Sequence, residues 1–294
     1  MHHVFNCPVC NATNFNKFIT CKDFTVSQEV FTIVECKDCR YKFTNPRPEP
    51  KNIGNYYKST DYISHSDTKK GIVSKLYHIV RNYTLKNKLK LINKHVSRGT
   101  ILDYGCGTGS FLSVCKNNGW NAFGFEPDND AVKIANQKGV IVFNKLNELK
   151  NQNLTTGYDV ITLWHVLEHV TELNETVSFL KENLKKDGAL IIALPNYKSY
   201  DAEIYKEFWA AYDVPRHLYH FDQLSINDLM SKRGFFLEEI KPMPFDSFYV
   251  SLLSEKYRNN KNNYFRAFFN GFLSNIKAKK TNNYSSLIYI FKHK

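Results

Sequence analysis

The run Thr100-Ile101-Leu102-Asp103-Tyr104-Gly105-Cys106-Gly107-Thr108-Gly109-Ser110-Phe111 reads as a buried strand, a glycine loop and the start of a helix. In an open α/β sheet, ligands bind beyond the carboxyl ends of the strands. The first such loop must turn tightly and let its backbone approach the ligand. Glycine allows both, because it lacks Cβ and tolerates positive φ. The spacing is G-x-G-x-G; a dinucleotide fingerprint needs its third glycine one position later, where this chain has Ser110. Asp103, two residues before Gly105, places a carboxylate suited to the cationic methionine end of S-adenosylmethionine rather than to a pyrophosphate. Glu126 lies 17 residues past Gly109 at the end of the next strand, placed to accept both ribose hydroxyls. Tyr104, Cys106 and Phe111 in the run, Pro127 after the acid, and His165 at a later strand end complete the expected cofactor-binding set.

Two knuckles, Cys7-x-x-Cys10 and Cys36-x-x-Cys39, are separated by 25 residues with the strand-like run Val30–Val34 between them. Each knuckle presents two thiolates to one ion, and zinc takes four ligands tetrahedrally. A closed four-thiolate site leaves no position for water, so the expected zinc is structural. Cys21, Cys106 and Cys115 are singletons. An odd cysteine count beside an N-terminus without signal-peptide character points to a reducing, cytoplasmic compartment.

Methyl transfer is an in-line displacement at a carbon activated by the sulfonium, so the protein chiefly positions two reactants. A hydroxyl or carbon acceptor also needs a base. His165, His217 and His220 are the candidates, with Tyr219 and Asp213 behind them. Arg216 could clamp an acceptor phosphate or carboxylate, and Phe208, Trp209 and Tyr212 could wall the acceptor. His165-Val166-Leu167-Glu168-His169 also fits H-x-x-E-H, a zinc-protease pattern. No third ligand suggests itself in the sequence, so Glu168 and His169 are expected to tie their segment to neighbouring loops.

The elements that must position these residues follow from periodicity. Strands are expected at 100–104, 120–126, 140–143, 158–164 and 189–194, and helices at about 109–118, 128–138 and 171–186, the last capped by Thr171 and ended before Gly188. Such alternation of Val/Ile/Leu-rich strands with helices implies a parallel sheet covered on both faces. Ahead of it, residues 72–96 read as a helix with Ile72, Leu76, Ile79, Val80, Tyr83, Leu85, Leu89 and Ile92 at helical spacing, after a proline-marked connector over 45–70. Behind it come an aromatic insertion at 195–221, a helix at 223–233, a strand at 235–240, aromatic helices within 245–280 and a last strand at 286–291. The stretch Tyr264–Phe269 could cap the site, pair subunits or graze a membrane, and capping is preferred.

Leu102–Gly109 resembles motif I of class I S-adenosylmethionine-dependent methyltransferases, and Trp164–Val170 resembles the segment after their fourth strand. Arg216-His217-Leu218-Tyr219-His220-Phe221, followed by a helix and Gly234-Phe235, is similar to a subgroup tied to small-molecule and cell-surface glycan methylation. Members of that subgroup also begin with a two-knuckle cysteine module, so the resemblance runs from about residue 4 to the C-terminus. It implies an α/β fold with a Rossmann-like, seven-stranded class I methyltransferase sheet whose terminal strand is antiparallel, behind a small N-terminal zinc ribbon. One departure is Phe143-Asn144-Lys145, where many members carry an acid for the adenine amino group; backbone or an Asn amide would take that contact here.

The expected organisation is a zinc ribbon over 1–45, a linker and helical segment over 46–97, and a methyltransferase domain over 98–294 with substrate-side insertions at 195–221 and 245–280. The 294 residues carry a net charge of +12. Residues 1–100 hold 17 basic and 7 acidic side chains, against 9 and 11 in 101–200 and 14 and 10 in 201–294. A basic surface can meet nucleic acid, anionic lipid or a nucleotide-linked substrate, yet no base-clamping Asn-Pro-Pro-Tyr-like motif follows the fourth strand. A small-molecule acceptor, a sugar or related metabolite, is therefore preferred to RNA, and an intact loop with Glu126 argues against a non-catalytic zinc-ribbon binding module. Apolar runs fall far short of the roughly 20 residues of a membrane span. The oligomeric state is not legible in these residues.

Overall fold

A computed structural model describes residues 1–58, 72–150 and 157–294, with side chains described from residue 79 in the helix that opens the second stretch. The chain begins with three antiparallel strands, β1 (Phe15–Lys22), β2 (Val30–Cys36) and β3 (Lys42–Thr44). After helix α1 (Ile72–His95), strands and helices alternate: β4 (Thr100–Tyr104), α2 (Ser110–Asn117), β5 (Asn121–Phe125), α3 (Asn129–Gln137), β6 (Ile141–Phe143), α4 (Leu146–Lys150), β7 (Tyr158–Trp164), α5 (Leu173–Asn183) and β8 (Leu184–Pro195). Helix α6 (Tyr200–Tyr205), two 3-10 turns and β9 (Tyr219–His220) form the aromatic insertion. The chain ends with α7 (Gln223–Lys232), β10 (Phe235–Pro242), α8 (Asp246–Asn259), α9 (Tyr264–Thr281) and β11 (Ser286–His293).

The large sheet has the order β10-β11-β8-β7-β4-β5-β6. Strands β4 to β8 run parallel, while β11 pairs antiparallel with both β8 and β10. This is the expected seven-stranded arrangement with an antiparallel last strand. Its central strands are buried on both faces: Ile101, Leu102, Val160, Ile161, Leu163 and Leu190 have no exposed surface. That burial explains why these strands read as continuous apolar runs instead of alternating ones.

Three local expectations change. Helix α5 begins at Leu173 and stops at Asn183, so Thr171 is not its cap; the Thr171 carbonyl instead accepts from Tyr219 and Arg47. Gly188 lies inside β8, where an added Cβ would stand 2.9 Å from the Lys185 carbonyl and 3.0 Å from that of Asp159. Close backbone approach, not helix termination, requires glycine there. Among the described side chains of α1 the later apolar positions pack inward: Ile92 is buried with Leu85 and Leu89 against it, while Ile79 is exposed and the exposed Tyr83 meets Phe245 edge-on. The Ile72 and Leu76 side chains, and the connector from residue 59 to 70, lie outside the described residues.

The N-terminal strands do not form a closed unit. Strand β3 pairs with β9, Lys42 opposite His220 and Phe43 opposite Tyr219, so the small sheet runs β1-β2-β3-β9. Cys7, Cys36, Tyr41 and Phe43 share one apolar cluster with Leu163, Leu218 and Phe221. The expected boundary at residue 45 is thus crossed by both hydrogen bonds and core packing.

Candidate active site and metal-binding clusters

At the carboxyl end of β4 the three loop glycines have left-handed φ of +77°, +52° and +69°. Gly105 and Cys106 both donate backbone N–H groups to the Phe125 carbonyl, at 2.7 and 3.0 Å. A Cβ on Gly105 would meet Val166 at 2.5 Å, and one on Gly109 would meet Ala135 and Val140 at 2.8 Å. Gly107 differs: a Cβ there would meet nothing within 4 Å. The middle glycine therefore faces the open space that a ligand needs. Glu126 turns its carboxylate to this loop, accepting from the N–H of Gly107 at 2.8 Å and of Asp128 at 3.0 Å, and burial raises its pKa.

Asp103 is buried and accepts from Thr162 Oγ1 at 2.6 Å. Burial lifts its carboxyl to about 7, against the opposing pull of the Thr162 hydrogen bond and the Lys88 charge. Lys88, from α1, lies 4.1 Å over the Trp164 ring, and burial lowers its ammonium to about 8 although Asp103 and Asp246 favour the charged form. Tyr104 and Phe111 contribute packing: Tyr104 lies beside Phe125, and Phe111 meets Trp164 edge-on. Cys106 is buried and Pro127 is exposed. On the expected adenine side, Asn144 donates from its amide to Asn129 Oδ1 at 2.7 Å. Arg81 and Lys138 both reach Ser110 Oγ, at 2.7 and 2.9 Å. Lys88, Thr162, Arg81 and Lys138 were not singled out by sequence. Single residues of common type, they meet the loop only through the fold.

The four acceptor-side candidates separate. His165 has φ +57° and keeps a third of its side chain exposed, with Nε2 3.1 Å from Asp246 Oδ2 and Nδ1 3.4 Å from Glu168 Oε1. Burial disfavours its charge, but the two carboxylates outweigh burial and lift the ring to about 9, so it rests as a cation and not as the free base expected. His220 is buried in β9 against Thr44 Oγ1 at 3.0 Å, and burial lowers it to about 3. His217 is buried too, its Nδ1 donating to the Ala211 carbonyl at 2.9 Å, and burial takes its pKa well below the usual histidine value. The Tyr219 hydroxyl donates to the Thr171 carbonyl and accepts from Arg47. His220 and Tyr219 thus fasten the small sheet to the large domain, because β9 is that sheet's edge.

Arg216 is no free clamp. Fully buried, it pairs with Asp23 at 3.0 Å and Asp213 at 2.7 Å and donates to the Tyr56 carbonyl. Asp213 is committed to the same pair. Trp209 and Tyr212 are core residues, the Trp209 indole donating to Asp201 at 2.7 Å, and half-buried Phe208 lies beside Phe24. Phe265 in the expected cap points away into solvent at 85% exposure.

Cys7, Cys10, Cys36 and Cys39 converge with all four sulfurs within 4.8 Å of one another, Cys7 to Cys39 at 3.5 Å and Cys10 to Cys36 at 3.6 Å. Sulfurs 2.3 Å from one tetrahedral zinc stand about 3.8 Å apart, so the residues fit that ion. Cys21, on β1, is buried elsewhere, against the aromatic insertion. A second convergence, Glu168 with His169 and His217, has the same 4.8 Å limit. His217 is the partner that the H-x-x-E-H pattern lacked in sequence; it lies on the segment that supplies β9.

A seven-stranded sheet with an antiparallel last strand, a glycine cradle after its first parallel strand and an acid after its second define a class I S-adenosylmethionine-dependent methyltransferase. The chain belongs to the family described as Methyltransferase domain, which matches residues 76–240. Similar proteins include the ubiquinone biosynthesis O-methyltransferases of Rickettsia typhi, 26% identical over 207 residues covering 64% of this chain and 82% of that one, and of Rickettsia prowazekii, 26% identical over 190 residues covering 60% and 73%. Among solved structures, magnesium protoporphyrin IX methyltransferase from Synechocystis with bound SAH aligns at a TM-score of 0.54 and 15% identity, covering 84% of this chain and all of that one. The last likeness concerns the fold alone. No helix among the described residues is long and apolar enough to cross a membrane.

Proposed function

We propose that this enzyme transfers the methyl group of S-adenosylmethionine to an oxygen of a small hydroxylated acceptor that enters beside His165. The observation carrying the acceptor side is the His165–Asp246 pair at the end of β7. It is the one candidate pair that is both polar and open to solvent, next to a loop whose first glycine packs on the following residue, Val166. Relatives named O-methyltransferases support oxygen as the acceptor atom. They are named for ubiquinone biosynthesis and not for a sugar, so the sugar expected from sequence is withdrawn. They also lend nothing to the RNA or non-catalytic readings.

The bound sulfonium supplies a methyl carbon ready for displacement, and the protein's task is alignment. Asp103 holds the amino end of the cofactor, Glu126 its ribose and the Asn144 amide its adenine. The Asp246 carboxylate, held by His165 and partly open to solvent, accepts the hydroxyl proton as the methyl passes to the oxygen, and the adjacent His165 ring favours the negative charge developing there. The four cysteines hold one structural zinc that keeps β2 and β3 docked on β9.

The test uses methyl-labelled donor with a panel of phenols, sugars and RNA. Label should enter a hydroxylated small molecule as a methyl ether, and His165→Asn should slow turnover about 10²-fold with SAH affinity kept. Label appearing only in RNA or on nitrogen, or full activity in His165→Asn, would contradict the proposal.

A further inference from the structure

We infer that Glu168, His169 and His217 bind a divalent first-row transition ion, a second metal site distinct from the four cysteines. Glu168 is buried, and neither carboxylate oxygen has a hydrogen-bond partner; its nearest cation, His165 Nδ1, is 3.4 Å away. A buried carboxylate without hydrogen bonds is costly and needs a reason. Both histidines are prepared in the same way. His217 Nδ1 faces the Ala211 carbonyl at 2.9 Å, and His169 Nδ1 faces the Arg216 carbonyl at 3.1 Å and the Tyr57 hydroxyl at 3.0 Å. A carbonyl can only accept, so both carbonyl contacts are hydrogen bonds in the tautomer with the hydrogen on Nδ1, and the Tyr57 hydroxyl, which can accept as well as donate, is compatible with it. No hydrogen bond from the described residues then reaches either Nε2; that of His217 lies 3.9 Å from Asp213 Oδ2. This is how metal-ligating histidines are held, the far nitrogen donating to a carbonyl that fixes tautomer and orientation.

The rings meet edge to face with centroids 4.5 Å apart, and one donor atom from each of the three residues lies within 4.8 Å of the others. Two imidazoles and one carboxylate suit Zn²⁺, Fe²⁺, Co²⁺ or Mn²⁺, and three protein ligands leave positions open for oxygen. Donors around an ion 2.1 Å away stand about 3.0–3.4 Å apart, inside the 4.8 Å limit that the three donor atoms already meet. The site joins two backbone segments. Leu218 and Tyr219 donate N–H groups to the Glu168 carbonyl at 2.8 and 3.2 Å, pinning the β9 segment to the loop after β7. If the proposed oxygen acceptor is correct, the open positions would receive that oxygen; ion binding itself does not rest on that reading.

The test is equilibrium dialysis of the full zinc-loaded chain against micromolar Co²⁺, followed by metal counting. Two ions per chain are expected. Glu168→Gln and His169→Gln should each lose one ion and keep the other, and Cys36→Ser should lose the opposite one. SAH binding in each variant reports folding, and Co²⁺ should raise the melting temperature of the wild type but not of Glu168→Gln. One ion in the wild type, or a second ion that survives both substitutions as an adventitious one, would overturn the inference. No acceptor enters the measurement, so failure here leaves the methyl-transfer proposal standing.

A separate observation concerns α9, whose faces are inverted. Ala267, Asn270, Gly271, Ser274 and Ala278 face the protein, while Phe265, Phe268, Phe269, Phe272 and Ile276 form the exposed stripe. Residues 256–280 carry seven basic side chains and no acidic one, with Arg266 paired to Glu255 at 3.2 Å. Aromatic residues on one face with surrounding Lys and Arg are the pattern of a helix lying in a lipid interface. We infer that α9 docks on an anionic lipid surface. A second copy would bring two such basic stretches together, which repulsion opposes. The full chain should sediment with phosphatidylcholine vesicles containing phosphatidylglycerol, at least tenfold more than with phosphatidylcholine alone, and Phe265→Glu with Phe268→Glu should abolish this with SAH binding kept. Absence of sedimentation, or a dimer in ultracentrifugation that the same substitutions dissociate, would overturn the inference.

Discussion

Thr162 Oγ1 donates to Asp103 Oδ1 at 2.6 Å, joining two neighbouring parallel strands beneath the glycine loop. The carboxyl so held titrates near 7 because burial outweighs both this bond and the Lys88 charge. Its native pKa exceeds the ordinary carboxylate value, so ionising it costs stability as pH rises from about 4 to 7. A cationic amino group beside it relieves that cost and favours the ionised form. SAH affinity should therefore rise about tenfold from pH 6 to pH 8. Thr162→Val should move the midpoint upward. A flat calorimetric affinity profile across this range would remove Asp103 from the cofactor's charged end.

The loop glycines separate stability from binding. Gly105→Ala drives a methyl into Val166 and should lower the melting temperature sharply. Gly107→Ala meets no neighbour, so its folding cost is the left-handed backbone alone, about 1–2 kcal/mol, yet its methyl enters the ligand's space. Expected is a folded Gly107→Ala protein with SAH affinity reduced at least tenfold. Equal melting losses with unchanged affinity in the second variant would contradict the cradle.

Arg216 invites a structural test of a residue that sequence placed at the acceptor. Asp23→Asn leaves a buried guanidinium with only Asp213 as its anion, and should cost about 3 kcal/mol in denaturant unfolding. A stability change below about 0.5 kcal/mol together with a raised acceptor KM would return Arg216 to a binding role.

The proposed zinc should act beyond its own knuckles. Chelation, or Cys36→Ser, should raise hydrogen exchange at Thr44, whose N–H donates to the Leu218 carbonyl at the β3–β9 seam, while β4 and β7 stay protected. Loosening confined to residues 4–36 would mean that β9 holds its place without the ribbon.

The large sheet was legible because its central strands are predominantly apolar and its glycine loop has fixed spacing. Asp103, Glu126 and the four cysteines were legible for the same reason: each belongs to a local pattern. The docking of residues 1–45 was not, since β9 is only two residues long and has no strand signature of its own. His217 and His220 share one short histidine-rich segment, and their burial between two sheets is a tertiary fact. Likewise Lys88 is one lysine among Lys86, Lys90 and Lys94 on α1, and only packing over Trp164 sets it apart. Gly188 misled because a glycine after an apolar helix reads as its stop, whereas here it admits a neighbouring backbone.

The most direct measurement is calorimetric titration of the wild type and Glu126→Ala with SAH at pH 8, with NAD as control. Expected is one SAH site per chain in the wild type, at least tenfold weaker binding in Glu126→Ala, and no heat with NAD. A folded wild-type protein that binds NAD, or that binds SAH equally well without the Glu126 carboxylate, would contradict the assignment of this loop and its acid as the cofactor site.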